Sequence, residues 1–157
     1  GVILGKALGG GLLPVSLFVA TDDVMQVFEP GDHGNTFGGN PLACAVAMAA
    51  LDVLEREDLV ARSATLGRRL LAQLRAIRSP VLADVRGRGL FIGLEIAPRY
   101  GNARAFVDRL LAHRILSKDT HGTVVRIAPP LNIGADDVEW ALGEIAAVCR
   151  ELEAAAG

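Results

Sequence analysis

A chain of 157 residues, half of them hydrophobic, forms one domain or the larger part of one and can bury roughly two thirds of its unfolded surface. Sixteen Lys and Arg against eighteen Asp and Glu leave a formal charge of −2, with no basic stripe or aromatic interleaving that would suit nucleic acid or a membrane surface. No apolar run approaches the ~20 residues of a membrane span, no signal-peptide pattern stands at the front, and Cys44 and Cys149 lie far apart in apolar helical contexts. A soluble, cytoplasmic protein is therefore expected, with reduced cysteines, no CxxC metal site, and small-molecule or protein partners.

In chain order, Val2 to Leu4 and Leu13 to Ala20 are short apolar runs bounded by glycine, the pattern of buried strands. Thr21 can cap a helix through Asp22 to Phe28. Glu29 to Asn40, "EPGDHGNTFGGN", reads as a loop, and Asn40-Pro41 as an N-cap followed by proline at the first helical position. The helix that starts there is apolar on almost every side from Leu42 to Leu54, which predicts burial; further on, Leu66, Leu70, Leu74 and Ile77 recur on one face.

After Ser79-Pro80 the pattern changes to "VLADVRGRGLFIGLEI", strand-like with glycine interruptions, and then to a helix with Phe106, Val107, Leu110 and Leu111 on one face. Ile115-Leu116 and a turn lead to "TVVRIAPPL", another strand. A last helix begins at Gly134, with Val138, Ala141, Leu142, Ile145, Val148, Cys149 and Leu152 as its inner stripe. Residues 81–157 thus read as a small α+β domain, preceded by a piece of an α/β domain.

The residue that asks for chemistry is Lys6, in "GVILGKALGGG". The stretch superficially resembles a phosphate loop, but only three residues separate its glycines and alanine follows the lysine. An isolated Gly-Lys is usually a solvated strand end. Enclosed between an apolar strand and a glycine turn, however, the amine would be desolvated and free to form a Schiff base, which is pyridoxal phosphate chemistry. In "HGNTFGG", Gly34, Gly38 and Gly39 allow close backbone approach and Thr36 offers a hydroxyl, a candidate phosphate cradle or an ordinary turn. His33 reads as a loop residue, His113 as lying on a polar helix face and His121 as part of a turn; none has a partner at metal-ligand spacing, and no metal is expected.

"LGKALGGGLLPVS", "GDHGNTFGGNPLACAVAMAAL", "VRGRGLFIGLEI" and "THGTVVRIAPPL", in this order, resemble the carboxy-terminal part of class III pyridoxal phosphate aminotransferases over essentially the whole chain. The resemblance implies an aspartate aminotransferase-type α/β fold (fold type I). Residues 1–50 would end the large cofactor domain, 51–80 would be a long connecting helix, and 81–157 the small α+β domain. Lys6 matches the lysine that holds pyridoxal 5'-phosphate and shuttles the proton. Thr36 matches a threonine that reaches the cofactor phosphate of the neighbouring subunit in a dimer, and Phe37 accompanies it. Arg126 matches an arginine that receives a substrate carboxylate, for which a planar guanidinium fork is suited; a salt-bridged strand residue is an equal reading of the sequence. Arg86 and Arg88 are expected to brace backbone, and Asp22, Asp23, Asp136 and Asp137 to be helix-start charges.

Within the family, "THGTVVRIAPPL" together with "FEPGDHGNTFGGNP" favours ornithine over acetylornithine or 4-aminobutyrate as amine donor, with 2-oxoglutarate as acceptor. The chain starts five residues before Lys6. The acidic residue for the pyridine nitrogen, the ring-stacking aromatic, part of the phosphate cup and the other substrate arginine are therefore expected from a separate amino-terminal half or subunit. The competing expectation is a non-catalytic remnant or interaction module that keeps the small-domain fold.

Overall fold

A computed structural model describes all residues, 1–157, and divides them into two compact units, Gly1–Asp58 and Leu59–Gly157.

In the first unit, strands β1 (Val2–Leu4) and β2 (Leu17–Val19) pair antiparallel, with Ile3 opposite Phe18. A 3-10 turn, Lys6–Gly9, follows β1, and helix α1 spans only Asp22–Met25. The run from Leu13 to Ala20 therefore yields three strand residues rather than eight, since Pro14 cannot donate to a ladder. Thr21 stands at the predicted cap of α1, but its side chain accepts no capping hydrogen bond.

Helix α2 (Pro41–Arg56) begins as its sequence dictates: Asn40 Oδ1 accepts from the amides of Leu42 and Ala43 at 3.0 and 3.2 Å, and Pro41 fills the first turn. It does not run on into the seventies. The amides of Glu57 and Asp58 fold back onto the carbonyls of Val53 and Glu55, and Asp58 takes φ +45°, a left-handed conformation that Asp tolerates. Nor is α2 buried all round. It meets the Lys6–Gly9 turn through Ala43 and Ala47, its only buried residues, while Leu42 and Met48 remain 63% and 66% exposed. Burial needs a partner surface on every apolar side, and this unit supplies one. The apolar strands are likewise uncovered, with Ile3 81% exposed.

The second unit has a complete core. Its antiparallel sheet runs in the order β3 (Leu82–Arg88), β4 (Phe91–Ile96), β6 (Val124–Ile127), β5 (Lys118–Thr120). Helices α3 (Leu59–Ala76), α4 (Ala103–Ala112) and α5 (Ala135–Ala156) pack on this sheet or on one another. Alternation along β4 decides the faces: Ile92, Leu94 and Ile96 are buried, whereas Phe91, Gly93 and Glu95 point the other way. Phe106 and Leu110 of α4, Leu74 of α3, and Ile145 and Val148 of α5 complete the core. Leu111, expected on the inner face of α4, is exposed: it sits beside that stripe, one position past Leu110. Cys149 is buried among them, and burial pushes its thiol up to about 11, so it behaves as an inert core residue.

Polar groups tie the helices together. Arg75 Nε donates to the Val85 carbonyl at 2.8 Å, and Arg62 donates to the carbonyls of Leu131 and Ile133 at 3.2 and 2.5 Å. His113 caps the carboxyl end of α4 instead of lying free on a polar face; its Nδ1 meets Glu144 at 2.5 Å and its Nε2 meets Glu151 at 2.8 Å, both on α5. No helix is long and apolar enough to cross a membrane.

Candidate active site

The first unit contains a cleft of about 790 Å³. Lys6, Leu8, Val15, Phe37, Gly39 and Cys44 are among the residues that line it. Lys6 stands at the junction between β1 and the 3-10 turn with φ +51°, a left-handed backbone that costs a lysine on the order of 1 kcal/mol or more. Such a cost in a residue that lines a cleft points to a positional requirement. Lysine is scarce here: the chain has only two, Lys6 and Lys118, against fourteen arginines. Lys6 is exposed, so the enclosed amine expected from its apolar neighbours is not what this unit presents. The strands that flank it are themselves uncovered.

The glycine loop reaches the same cleft. Asn35 Oδ1 accepts from the Phe37 amide at 3.1 Å, and the Gly38 and Asn40 amides donate back to the carbonyls of Asn35 and Phe37. The amides of Thr36 and Gly39 have no acceptor within the chain, and Gly39 is left-handed at φ +67°. These two amides and the Thr36 hydroxyl are free for an anion. The first turn of α2 is not, because Asn40 already accepts from Leu42 and Ala43. Phe37, 79% exposed, lines the cleft; Thr36 does not.

Arg126 lies in the second unit, on the face of the sheet opposite the helices. On β6 it is directly across from Gly93 of β4 and Lys118 of β5, and it is exposed without a carboxylate partner in the chain. The salt-bridged reading of Arg126 is therefore not what the sheet shows. Its neighbour across Gly93, Arg86, is salt-bridged: its guanidinium meets Asp84 and Glu95, each at 2.9 Å, instead of bracing backbone as expected. The Thr123 hydroxyl and Arg86 hold the Glu95 carboxyl below its usual range, and Arg86 does the same for Asp84. Backbone is braced instead by Arg62 and Arg75, which sequence reasoning missed because nothing in their helical contexts marks them. The β5 strand that carries Lys118 was equally hidden, being three mostly polar residues.

A lysine-bearing cleft beside a two-stranded apolar sheet, and an antiparallel α+β unit carrying an unpaired arginine, are folded as in aminotransferases of known structure. Residues 2–149 match the family model described as "Aminotransferase class-III", and the chain belongs to that family. The ornithine aminotransferases of Bacillus cereus (strain Q1) and Bacillus subtilis (strain 168) are 55% and 52% identical to it, covering 93% and 94% of this chain. The chain spans about 36% of the length of both relatives. Among solved structures, the ornithine aminotransferase of Toxoplasma gondii, which has partial occupancy of PLP at its active site, superposes with a TM-score of 0.92 at 39% identity. It matches 98% of this chain and 37% of its own. The acetylornithine aminotransferase of Elizabethkingia anophelis gives a TM-score of 0.89 at 40% identity, over 95% of this chain and 40% of its own.

Proposed function

We propose that these residues form the lysine-bearing part of an enzyme that moves the δ-amino group of ornithine to 2-oxoglutarate, giving glutamate semialdehyde and glutamate. The observation that carries this reading is Lys6, held left-handed at a cleft that is also lined by Phe37, Gly38 and Gly39 of the glycine loop, with the Gly39 amide free. Identity of 52–55% to ornithine aminotransferases supports the choice of substrate. Residues 1–50 would finish the cofactor-binding domain, 51–80 would connect, and 81–157 would form the small domain.

The residues present fit the cofactor: an amine for its aldehyde, and hydrogen-bond donors for its phosphate. When bound, pyridoxal phosphate supplies the electrophilic carbon that takes the amino group and the conjugated ring that stabilises developing negative charge. Lys6 Nζ would hold the cofactor's aldehyde carbon and, as a free amine, would serve as the base that removes and returns the proton at the substrate's amine-bearing carbon. Thr36, outside the cleft, would donate its hydroxyl to the phosphate of a second copy, with Phe37 beside it. Arg126 would hold a substrate carboxylate through two parallel N–H donors. The remaining ring and substrate contacts would come from the stretch of the relatives that these residues do not span, in an assembly expected to be a dimer. Acetylornithine is the second reading for the donor, favoured by the 40% identity to the Elizabethkingia enzyme.

The test is to co-express the chain with the remaining portion of a relative, reduce the cofactor-loaded assembly with borohydride and map the adduct by mass spectrometry. The label is expected on Lys6, and Lys6→Ala should abolish transamination while the assembly still forms. A label on Lys118 instead would overturn the assignment. Turnover of acetylornithine well above that of ornithine would select the second donor.

A further inference from the structure

On the open face of the second unit's sheet lies a depression of about 270 Å³. Arg126, Arg86, Thr120 and His121 border it; Gly93 and Val124 also line it. Across the sheet, Arg86, Gly93 and Arg126 stand in one row, and the missing side chain at Gly93 leaves room between the two arginines. A Cβ at Gly93 would come 3.2 Å from Val124 Cγ1, so the hollow depends on that glycine. Of the two guanidinium groups, Arg86 is matched by Asp84 and Glu95, and Arg126 is unmatched. The hollow therefore offers one uncompensated cation. It suits an anion, and the planar fork suits a carboxylate.

His121 is placed there by an unusual turn. The loop between Thr120 and Val124 has φ +53° at His121 and φ +77° at Gly122, two consecutive left-handed residues. Glycine or asparagine fills such positions at least cost, and only the second of the two is glycine. The turn itself is tied into the fold, its Gly122 and Thr123 carbonyls accepting from the amides of Ala103 and Ile96 at 3.0 and 2.8 Å, but the histidine ring makes no hydrogen bond or ion pair within the chain, and its place is at the rim that Arg126 shares. A positive-φ residue whose side chain has no partner in the chain and borders a hollow with an unmatched cation is a reason to look for a ligand there.

We propose that His121 is a second substrate-binding residue, donating an imidazole N–H to the same carboxylate that Arg126 grips, so that the Thr120–His121 turn sets the preference for substrates with a carboxylate at that end. This rests on the reading of Arg126 as a carboxylate receptor. A guanidinium fork occupies one edge of the carboxylate, and its oxygens keep lone pairs on the other side for a donor approaching from the turn. The histidine thus adds direction to what a lone surface arginine would supply only as charge.

Glutarate, a dicarboxylate without the reactive keto group, is the probe, titrated into the isotopically labelled 157-residue chain and followed by amide NMR shifts. The amides of Gly93, Gly122 and Arg126 are expected to move in a saturable way in the unmodified chain. His121→Asn, which keeps a residue tolerant of positive φ, should weaken binding about tenfold to a hundredfold, on the order of one charge-assisted hydrogen bond. Arg126→Met should remove saturable shifts altogether. Unchanged affinity in H121N, with the effect of R126M intact, would overturn the His121 assignment and leave Arg126 standing. An unmodified chain whose Gly93, Gly122 and Arg126 amides do not respond to glutarate would overturn both.

Discussion

Gly67 of α3 lies so close to Gly89 of the β3–β4 turn that a Cβ built on Gly67 would stand 2.1 Å from the Gly89 carbonyl oxygen. Two glycines let helix backbone and turn backbone meet, and the Ser63 hydroxyl accepts the Leu90 amide beside them at 3.3 Å. Gly67→Ala is expected to cost about 1–3 kcal/mol, because backbone must shift to admit the methyl group. Gly143→Ala in α5, where an added Cβ meets nothing, should be neutral or stabilise by up to about 1 kcal/mol. Urea titrations of the two variants check this, and equal midpoints would contradict it.

The clip of His113 between Glu144 and Glu151 makes the second unit pH-sensitive. Both ring nitrogens face carboxylate oxygens, so the imidazolium form satisfies both, and Glu144 first, then Glu151, raise the His113 pKa above the ordinary histidine value. A group with a raised folded pKa contributes stability that is fully present below its unfolded value and lost as pH rises through the folded one. Glu151, held low chiefly by His113 and further by Arg109, contributes stability above its unfolded value that is lost as pH falls through the folded one. The stability difference between the unmodified chain and His113→Gln should therefore be largest at about pH 6 and shrink towards about pH 9 and towards about pH 3. A difference independent of pH in denaturant titrations would show that the ring contributes packing alone.

Arg126→Lys replaces a bidentate fork with a point charge. In the completed assembly it should raise the KM for the carboxylate substrate by about tenfold or more, on the order of a charged hydrogen bond, with a smaller change in kcat. Steady-state kinetics with unchanged KM would return Arg126 to the sheet as a bystander.

The 157 residues purified by themselves are expected to retain no pyridoxal phosphate through gel filtration and to self-associate. Lys6 alone gives a covalent but reversible hold, and tight binding needs preorganised phosphate and ring contacts. Ile3, Leu12 and Phe37, each about 80% exposed, belong to an apolar surface that favours association. Light scattering showing a monomer of 16.5 kDa, with cofactor absorbance coeluting, would contradict both expectations.

The second unit was legible in sequence to the degree that it is self-contained. The stripes Leu70–Leu74, Phe106–Leu110 and Val138–Leu152 are local periodicities, and the residues that complete their burial lie within the same hundred positions. The first unit misled for the opposite reason: apolarity around Leu42–Leu54 marks surface that wants covering, and Leu42, Met48 and Leu51 remain exposed. Lys6, Thr36 and Arg126 were singled out by motif; the chemistry proposed for them depends on neighbours beyond composition and spacing. The broken helix at Asp58 and the strained turn at His121 left no pattern to read, since positive φ in a residue other than glycine is a property of the backbone path and not of the alphabet.

The hydrophobic core cluster draws only on residues from Leu66 to Leu152, all within the second unit, whereas the cleft that would receive a cofactor is lined wholly from the first. Binding energy at that cleft is thus coupled by linkage to the folding of Gly1–Asp58. Heated with the cofactor in excess, the chain should hold the pairing of β1 with β2 to a higher temperature than it does without it.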